Sequence, residues 1–332
     1  MPGLFTPIEL RDRNVRNRIV MPPMATEYAT EEGEVTEEHL AHYRERANSE
    51  VGIIIVEHTF VRPDGRASER QLSIEDDSKV RGLSRLAKTI REGGALAILQ
   101  ITHAGGTGMG DGVQLRGAGS VPVPERNYPA PEPFTAEELS GLAEDFAAAA
   151  RRALRAGFDG VELHGAHAYL LNQFLSPLSN DREDDYGGDL SGRAKFPLEV
   201  VRAVKDEVGD EMLVFYRLGA RDSIDGGLTL EEGATFGAWL HRAGVDLIDV
   251  SGSLGGSRPE GVKFEGYFME DGSAVRDAAT PTPVMVAGGV VNACTADEFV
   301  RREVVDLVGI GRALLMDPYW AIKAKARVGG GE

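Results

Sequence analysis

The chain has 332 residues, 42% of them hydrophobic and 27% charged, enough to build a sizeable core without metal or disulfide support. Its formal net charge of -17, from 53 acidic and 36 basic side chains, repels polyphosphates and excludes a general nucleic-acid or anionic-membrane partner. A single cysteine, Cys294, excludes an intrachain disulfide and a Cys-rich zinc site.

In chain order, short apolar runs alternate with longer helical patterns. The start, Met1-Pro2-Gly3-Leu4-Phe5-Thr6-Pro7, lacks a charged-then-apolar leader pattern, and no apolar run reaches the ~18 residues of a membrane span. The expected location is cytoplasmic. The apolar runs cover 18–21, 52–57, 95–101, 160–164, 212–218, 245–251, 283–287 and 305–310. Most are apolar on consecutive residues, the pattern of strands buried on both faces of a parallel sheet. Between them, Thr36 followed by Glu37 and Glu38, and the capping boxes Thr135-Ala-Glu-Glu138, Thr229-Leu-Glu-Glu232 and Thr295-Ala-Asp-Glu298, predict helix starts. Eight runs with intervening helices predict one α/β domain over 1–332, a single (β/α)8 TIM barrel rather than an open doubly wound sheet. Two long connections, 103–134 and 253–283, follow strands and are expected as long loops on the C-terminal face; the second contains a helical pattern near 268–278. Cys294 reads as a small core or loop residue.

Barrels keep their functional groups at the C-terminal strand ends. Here those ends carry Met24-Ala25-Thr26, Glu57-His58, Gln100 and His103, His164 and His167, Arg217, Gly288-Gly289 and Gly311-Arg312. Glycines and an arginine after the seventh and eighth strands suit a phosphate, which backbone N–H groups can approach closely and Arg312 can grip. The alternative is that both glycine pairs are tight turns. His164-x-x-His167 has half the spacing of a metal site, but no further ligands sit in a metal motif, so no metal is assigned. A histidine pair followed by Tyr169 suits an oxygen clamp beside a proton donor, because imidazole N–H groups can hold a carbonyl oxygen that gains charge. A phenol keeps its proton at neutral pH and can deliver it to carbon. Arg217 at the barrel mouth requires an anionic partner, either a neighbouring acid such as Asp222 or an anionic cofactor.

At these residues the sequence resembles the Old Yellow Enzyme family, the FMN-containing ene-reductases of the NADH:flavin oxidoreductase type. The resemblance rests on His164-Gly-Ala-His-Ala-Tyr-Leu-Leu-Asn-Gln-Phe-Leu-Ser-Pro-Leu-Ser-Asn180, continuing to Tyr186-Gly-Gly188 and Arg193. Supporting segments are Leu4-Phe-Thr-Pro7, Asn17-Arg-Ile-Val-Met-Pro-Pro-Met24, His103-Ala-Gly105 and Gly309-Ile-Gly-Arg-Ala-Leu-Leu-Met-Asp-Pro318, so it covers nearly the whole chain.

The resemblance implies that Pro23, Met24 and Ala25 lie along the flavin edge, with His58 contributing mainly backbone. It implies that Gln100 bonds the pyrimidine side of the ring and that Arg217 stabilises the reduced ring's charge. Gly288, Gly289, Gly311 and Arg312 would hold the ribityl phosphate. His164 and His167 would bind the substrate's activating oxygen, and Tyr169 would be the proton donor. In the implied cycle NADPH or NADH reduces FMN, and flavin N5 then passes a hydride to the β-carbon of an activated alkene such as an enone, enal or maleimide. A homo-oligomer is compatible with this reading.

The sequence departs from the family pattern at two positions. Ala25 stands where relatives carry a flavin-tuning Cys or Thr, so that contact is missing unless Thr26 supplies it. Gly106 stands where an Arg is common, which predicts a roomier substrate pocket. The segment Arg327-Val-Gly-Gly-Gly-Glu332 has no tail of the kind that inserts an Arg into a neighbour's site, and no iron–sulfur cysteines are present, so electrons are expected directly from the nicotinamide. Two other classes remain open. A flavin-free phosphate-binding barrel lyase or aldolase would lack an obvious Schiff-base Lys at a strand end. A flavin-binding barrel with a different or lost redox role would bind FMN without turnover.

Overall fold

The computed structural model describes residues 1–109, 114–259 and 261–329. Residues 110–113, in the loop after the third strand, residue 260, and the last three residues of the Arg327–Glu332 segment lie outside the described residues. Eight strands pair in parallel: β1 (Ile19–Met21), β2 (Ile53–Phe60), β3 (Leu96–Thr102), β4 (Gly160–Gly165), β5 (Leu213–Gly219), β6 (Leu247–Ser251), β7 (Val284–Val286) and β8 (Leu307–Gly309). Each bonds its sequence neighbour, and β8 returns to β1, so the sheet closes. Closure removes both edges, and the helices cover the outer face. The longer helices are α1 (Glu37–Ala47), α2 (Val80–Glu92), α3 (Ala136–Ala156), α4 (Leu190–Val208), α5 (Leu230–Arg242), α6 (Met269–Ala279), α7 (Ala293–Arg301) and α8 (Trp320–Gly329). This is the (β/α)8 barrel expected from the apolar runs.

Helix starts follow local chemistry. At α3 and α5 the expected boxes form, with Thr135 and Thr229 accepting from the amides of Glu138 and Glu232 while those glutamates reach back. At α1 the box uses His39, three residues past Thr36, instead of a glutamate. The box expected at Thr295 is not a helix start. Asn292 caps α7 by accepting from the Cys294 amide, which places Thr295 inside the helix. Cys294, expected in core or loop, is exposed on the first turn of that helix.

Two apolar shells hold the barrel. One lies between the strands and the helices. The other fills the interior with inward side chains such as Val20, Ile55, Ile98, Phe215, Leu247 and Leu307. An antiparallel hairpin, Ile8–Leu10 with Arg13–Val15, closes the N-terminal end by adding Leu10 and Val15 to that inner shell. Towards the C-terminal end the inward positions turn polar. Register places Gln100 beside Glu162, and Arg217 between His164 and Asp249. The apolar lower half is a packing layer, and the polar upper half is the floor of the site.

Candidate active site

His164 is the fifth residue of β4, and the chain then turns back over the barrel. His167 and Ala168 both occupy the left-handed region, with φ 58 and 67, a conformation that costs energy in residues bearing a Cβ. Three bonds hold it: the His167 amide donates to the Gly252 carbonyl at 3.1 Å, the Ala168 amide to Asn172 Oδ1 at 2.9 Å, and Gln173 Nε2 to the Ala168 carbonyl at 2.6 Å. The turn brings the expected trio together. The rings of His164 and His167 lie 5.1 Å apart, near perpendicular, and those of His164 and Tyr169 4.6 Å apart.

Partners outside the motif orient these rings. His167 Nε2 lies 2.9 Å from Ser251 Oγ, and that oxygen accepts from Arg217 at 3.2 Å. The Tyr169 hydroxyl lies 3.4 Å from His58 Nδ1, and Gln71 Nε2 donates to the same nitrogen at 2.9 Å. His58 therefore presents its ring to Tyr169, while its carbonyl accepts from Gln71 at 3.2 Å. Burial holds His164 and His167 well below the ordinary histidine range; the neighbouring His167 ring and Arg217 add to the effect at His164, and Arg217 and Arg126 at His167. Both imidazoles are neutral at pH 7. Burial pushes the Tyr169 phenol up to about 12, with Tyr128 assisting and Arg126 opposing. His164 Nδ1 is buried without a partner, as befits an atom awaiting a ligand.

Beside this trio, a cleft of about 200 Å³ runs past Met24, Arg217, Gly289, Gly311 and Arg312. Its glycines are required by space. A Cβ on Gly289, which has φ 74, would meet Tyr267 at 2.4 Å, and one on Gly311 would meet Met24 Sδ at 2.9 Å. The Gly288 carbonyl accepts from the amides of Gly266 and Tyr267 at 2.7 and 3.2 Å, which pins the loop after β6 to the end of β7. Arg312 reaches the Tyr267 hydroxyl at 3.4 Å, and Arg258 also lines the cleft. Glycine-walled space edged by guanidinium groups, reaching Arg217 and Ser251, fits a phosphate-bearing cofactor such as FMN. Gly289→Val is expected to weaken FMN binding by more than tenfold while the barrel still folds, measured by fluorescence titration of the apoprotein; unchanged affinity would contradict the cradle.

Several expectations need correction. Arg217 pairs with Asp249, Nε to Oδ2 at 3.1 Å, and not with Asp222. Asp222 instead accepts from the Ser176 hydroxyl and from the amides of Leu228 and Leu254. Thr26 does not replace the missing contact at Ala25, because its hydroxyl and amide both donate to Glu57, at 2.6 and 2.8 Å. A Cβ at Gly106 would lie 3.1 Å from Pro131. Pro23 and Ala25 sit in the loop between β1 and α1, with Ala25 exposed. Gln100 is buried and donates to Glu162 at 2.7 Å.

Sequence reasoning missed Ser251, Asp249, Glu162, Arg258 and Tyr267. The first two were visible as polar residues at alternate positions near the end of β6. Tyr267 and Arg258 stand in a loop without periodicity and gave no signal. Among the described residues, no three His, Cys, Asp or Glu side chains are grouped as metal ligands, and no helix is long and apolar enough to cross a membrane.

The comparisons agree with this geometry. The model of the NADH:flavin oxidoreductase / NADH oxidase family matches residues 3–329. An NADPH dehydrogenase of Bacillus licheniformis is 38% identical over 96% of this chain and 92% of its own. An NADH oxidase of Thermoanaerobacter brockii is 37% identical over 98% of this chain, which spans only 51% of that relative. The solved structure of morphinone reductase superposes with a TM-score of 0.84 at 28% identity, covering 99% of this chain and 90% of that one. A flavin-free barrel lyase is thereby set aside. With its closed barrel, glycine-walled cleft and nearly end-to-end match, the chain belongs to the NADH:flavin oxidoreductase / NADH oxidase family, FMN enzymes that take hydride from NAD(P)H.

Proposed function

We propose that this chain is an ene-reductase that saturates activated alkenes such as enones, enals and maleimides. The observation that carries the reading is the neutral His164–His167 pair set beside a protonated Tyr169 and joined through Ser251 to the wall of the cleft. FMN supplies the hydride relay between the nicotinamide and the alkene. Gly288, Gly289, Gly311 and Arg312 hold its phosphate. Pro23, Met24 and Ala25 flank the ring, with the His58 segment, and Gln100 and Arg217 face its polar edge.

His164 and His167 donate N–H groups to the substrate's carbonyl oxygen. Because both are neutral, they stabilise charge that develops on that oxygen without transferring a proton to it beforehand. Ser251 holds the His167 ring in place through its hydroxyl. Tyr169 carries the proton destined for the α-carbon, and its hydroxyl is aimed by His58 and Gln71. The test is optical. Under anaerobic conditions NADPH or NADH is expected to bleach the flavin absorbance, and an enone to restore it. Failure of every enone, enal, maleimide and nitroalkene to restore colour would refute the proposal.

A further inference from the structure

The floor of the site holds two carboxylates that the proposed chemistry does not use. Glu162 and Asp249 are both 0% exposed, with Gln100 and Arg217 at 1% and 5%. They come from the adjacent strands β3 (Gln100), β4 (Glu162), β5 (Arg217) and β6 (Asp249), whose register sets Gln100 beside Glu162 and, two residues further along, Arg217 beside Asp249. Gln100 Nε2 donates to one oxygen of Glu162 at 2.7 Å. The other Glu162 oxygen is buried without a hydrogen-bond partner. Arg217 Nε approaches Asp249 at 3.1 Å, yet neither Asp249 oxygen has an aligned donor. The imidazoles of His164 and His167, which also face Arg217, are both neutral.

Charge bookkeeping decides the protonation. Two carboxylates and one guanidinium sum to one negative charge in a buried layer, where an uncompensated charge is costly. Adding one proton makes the set neutral. Burial and the charge of Asp249 push the Glu162 carboxyl well up, with Arg217 and the Gln100 bond opposing, whereas burial raises Asp249 only to about 6 against Arg217. The proton therefore belongs on Glu162, and the two acids titrate as a pair.

We propose that Glu162 and Asp249 share one proton, carried by Glu162 at neutral pH, and that Glu162 is a positioning residue for the flavin. As a neutral acid it fixes the Gln100 amide and leaves Asp249 alone to balance Arg217. The floor beneath the ring then carries no net charge that opposes electron uptake. This inference rests on the FMN reading for its consequence, but not for the proton itself.

The experiment compares FMN-loaded wild type with Glu162→Gln and Asp249→Asn. Visible absorbance first reports whether FMN is bound; its absence in the wild type would overturn the flavin reading, not the shared proton. Infrared spectroscopy at neutral pH then reads the proton directly. The wild type is expected to show the carbonyl stretch of one buried carboxylic acid. Glu162→Gln loses that band, and so does Asp249→Asn, because Arg217 then neutralises an ionised Glu162.

The midpoint potential is measured against pH in parallel. As pH rises through the titration of the pair, a negative charge appears beneath the ring and electron uptake becomes harder. The wild-type potential is expected to fall below that of Glu162→Gln, which cannot ionise there. No acid band in the wild type, a band that survives Glu162→Gln, or parallel potential curves would overturn the proposal. If Glu162→Gln fails to fold, the wild-type band and its loss in Asp249→Asn decide the matter.

Discussion

Tyr169→Phe is expected to slow the alkene half-reaction by roughly 10²–10⁴-fold, the usual contribution of a positioned general acid, with flavin reduction by the nicotinamide unchanged. The substitution removes one oxygen and keeps the ring that stacks on His164 at 4.6 Å, so the loss reports the proton and not the packing. Because burial raises the phenol to about 12, the donor form is complete below that pH. The alkene half-reaction should therefore be flat through the neutral range and fall only as pH approaches that value. Anaerobic stopped-flow absorbance, with each half-reaction followed alone, checks both statements. Equal slowing of the two halves would remove Tyr169 from the donor role.

Arg217→Met is expected to destabilise the fold by about 3–5 kcal/mol, the cost of stranding a buried charge after its partner is removed, and to abolish tight FMN binding. Met matches much of the stem but leaves Asp249 and Glu162 with no cation. Both carboxyls are already raised by burial, and losing Arg217 raises them further. A group whose folded-state value lies above its unfolded value contributes stability at low pH and loses it as pH rises through the folded value. The variant should accordingly be weakest at neutral and alkaline pH and recover on acidification. Urea denaturation at several pH values measures this, and a deficit independent of pH would mean that lost packing dominates.

The eight strands were legible because each is buried on both faces and so spells a continuous apolar run, even β7 and β8, with only three residues each. That same continuity hid the polar floor. One Glu within Gly160–Gly165 or one Asp within Leu247–Ser251 reads as an outward residue until the closed sheet shows that it faces inward. The start of α7 was misplaced because Asn292 and Thr295 are both good caps, and only the Asn292 bond to the Cys294 amide chooses between them. Arg217 was placed correctly at the mouth, but its partner lies on the next strand, 32 residues away in sequence, where local reasoning has no reach. His164, His167 and Tyr169 could be grouped from the sequence because turn and strand end are contiguous. Ser251, which orients His167, belongs to another strand and was not.

The hairpin beneath the barrel has a kinetic consequence. Leu10 and Val15 stop the lower end, so the cleft opens among the loops above. On the proposed ene-reductase reading, hydride donor and alkene would compete for that side, and the spent nicotinamide would have to vacate before the alkene docks. Tight retention of the first product would throttle the cycle, however fast the chemistry.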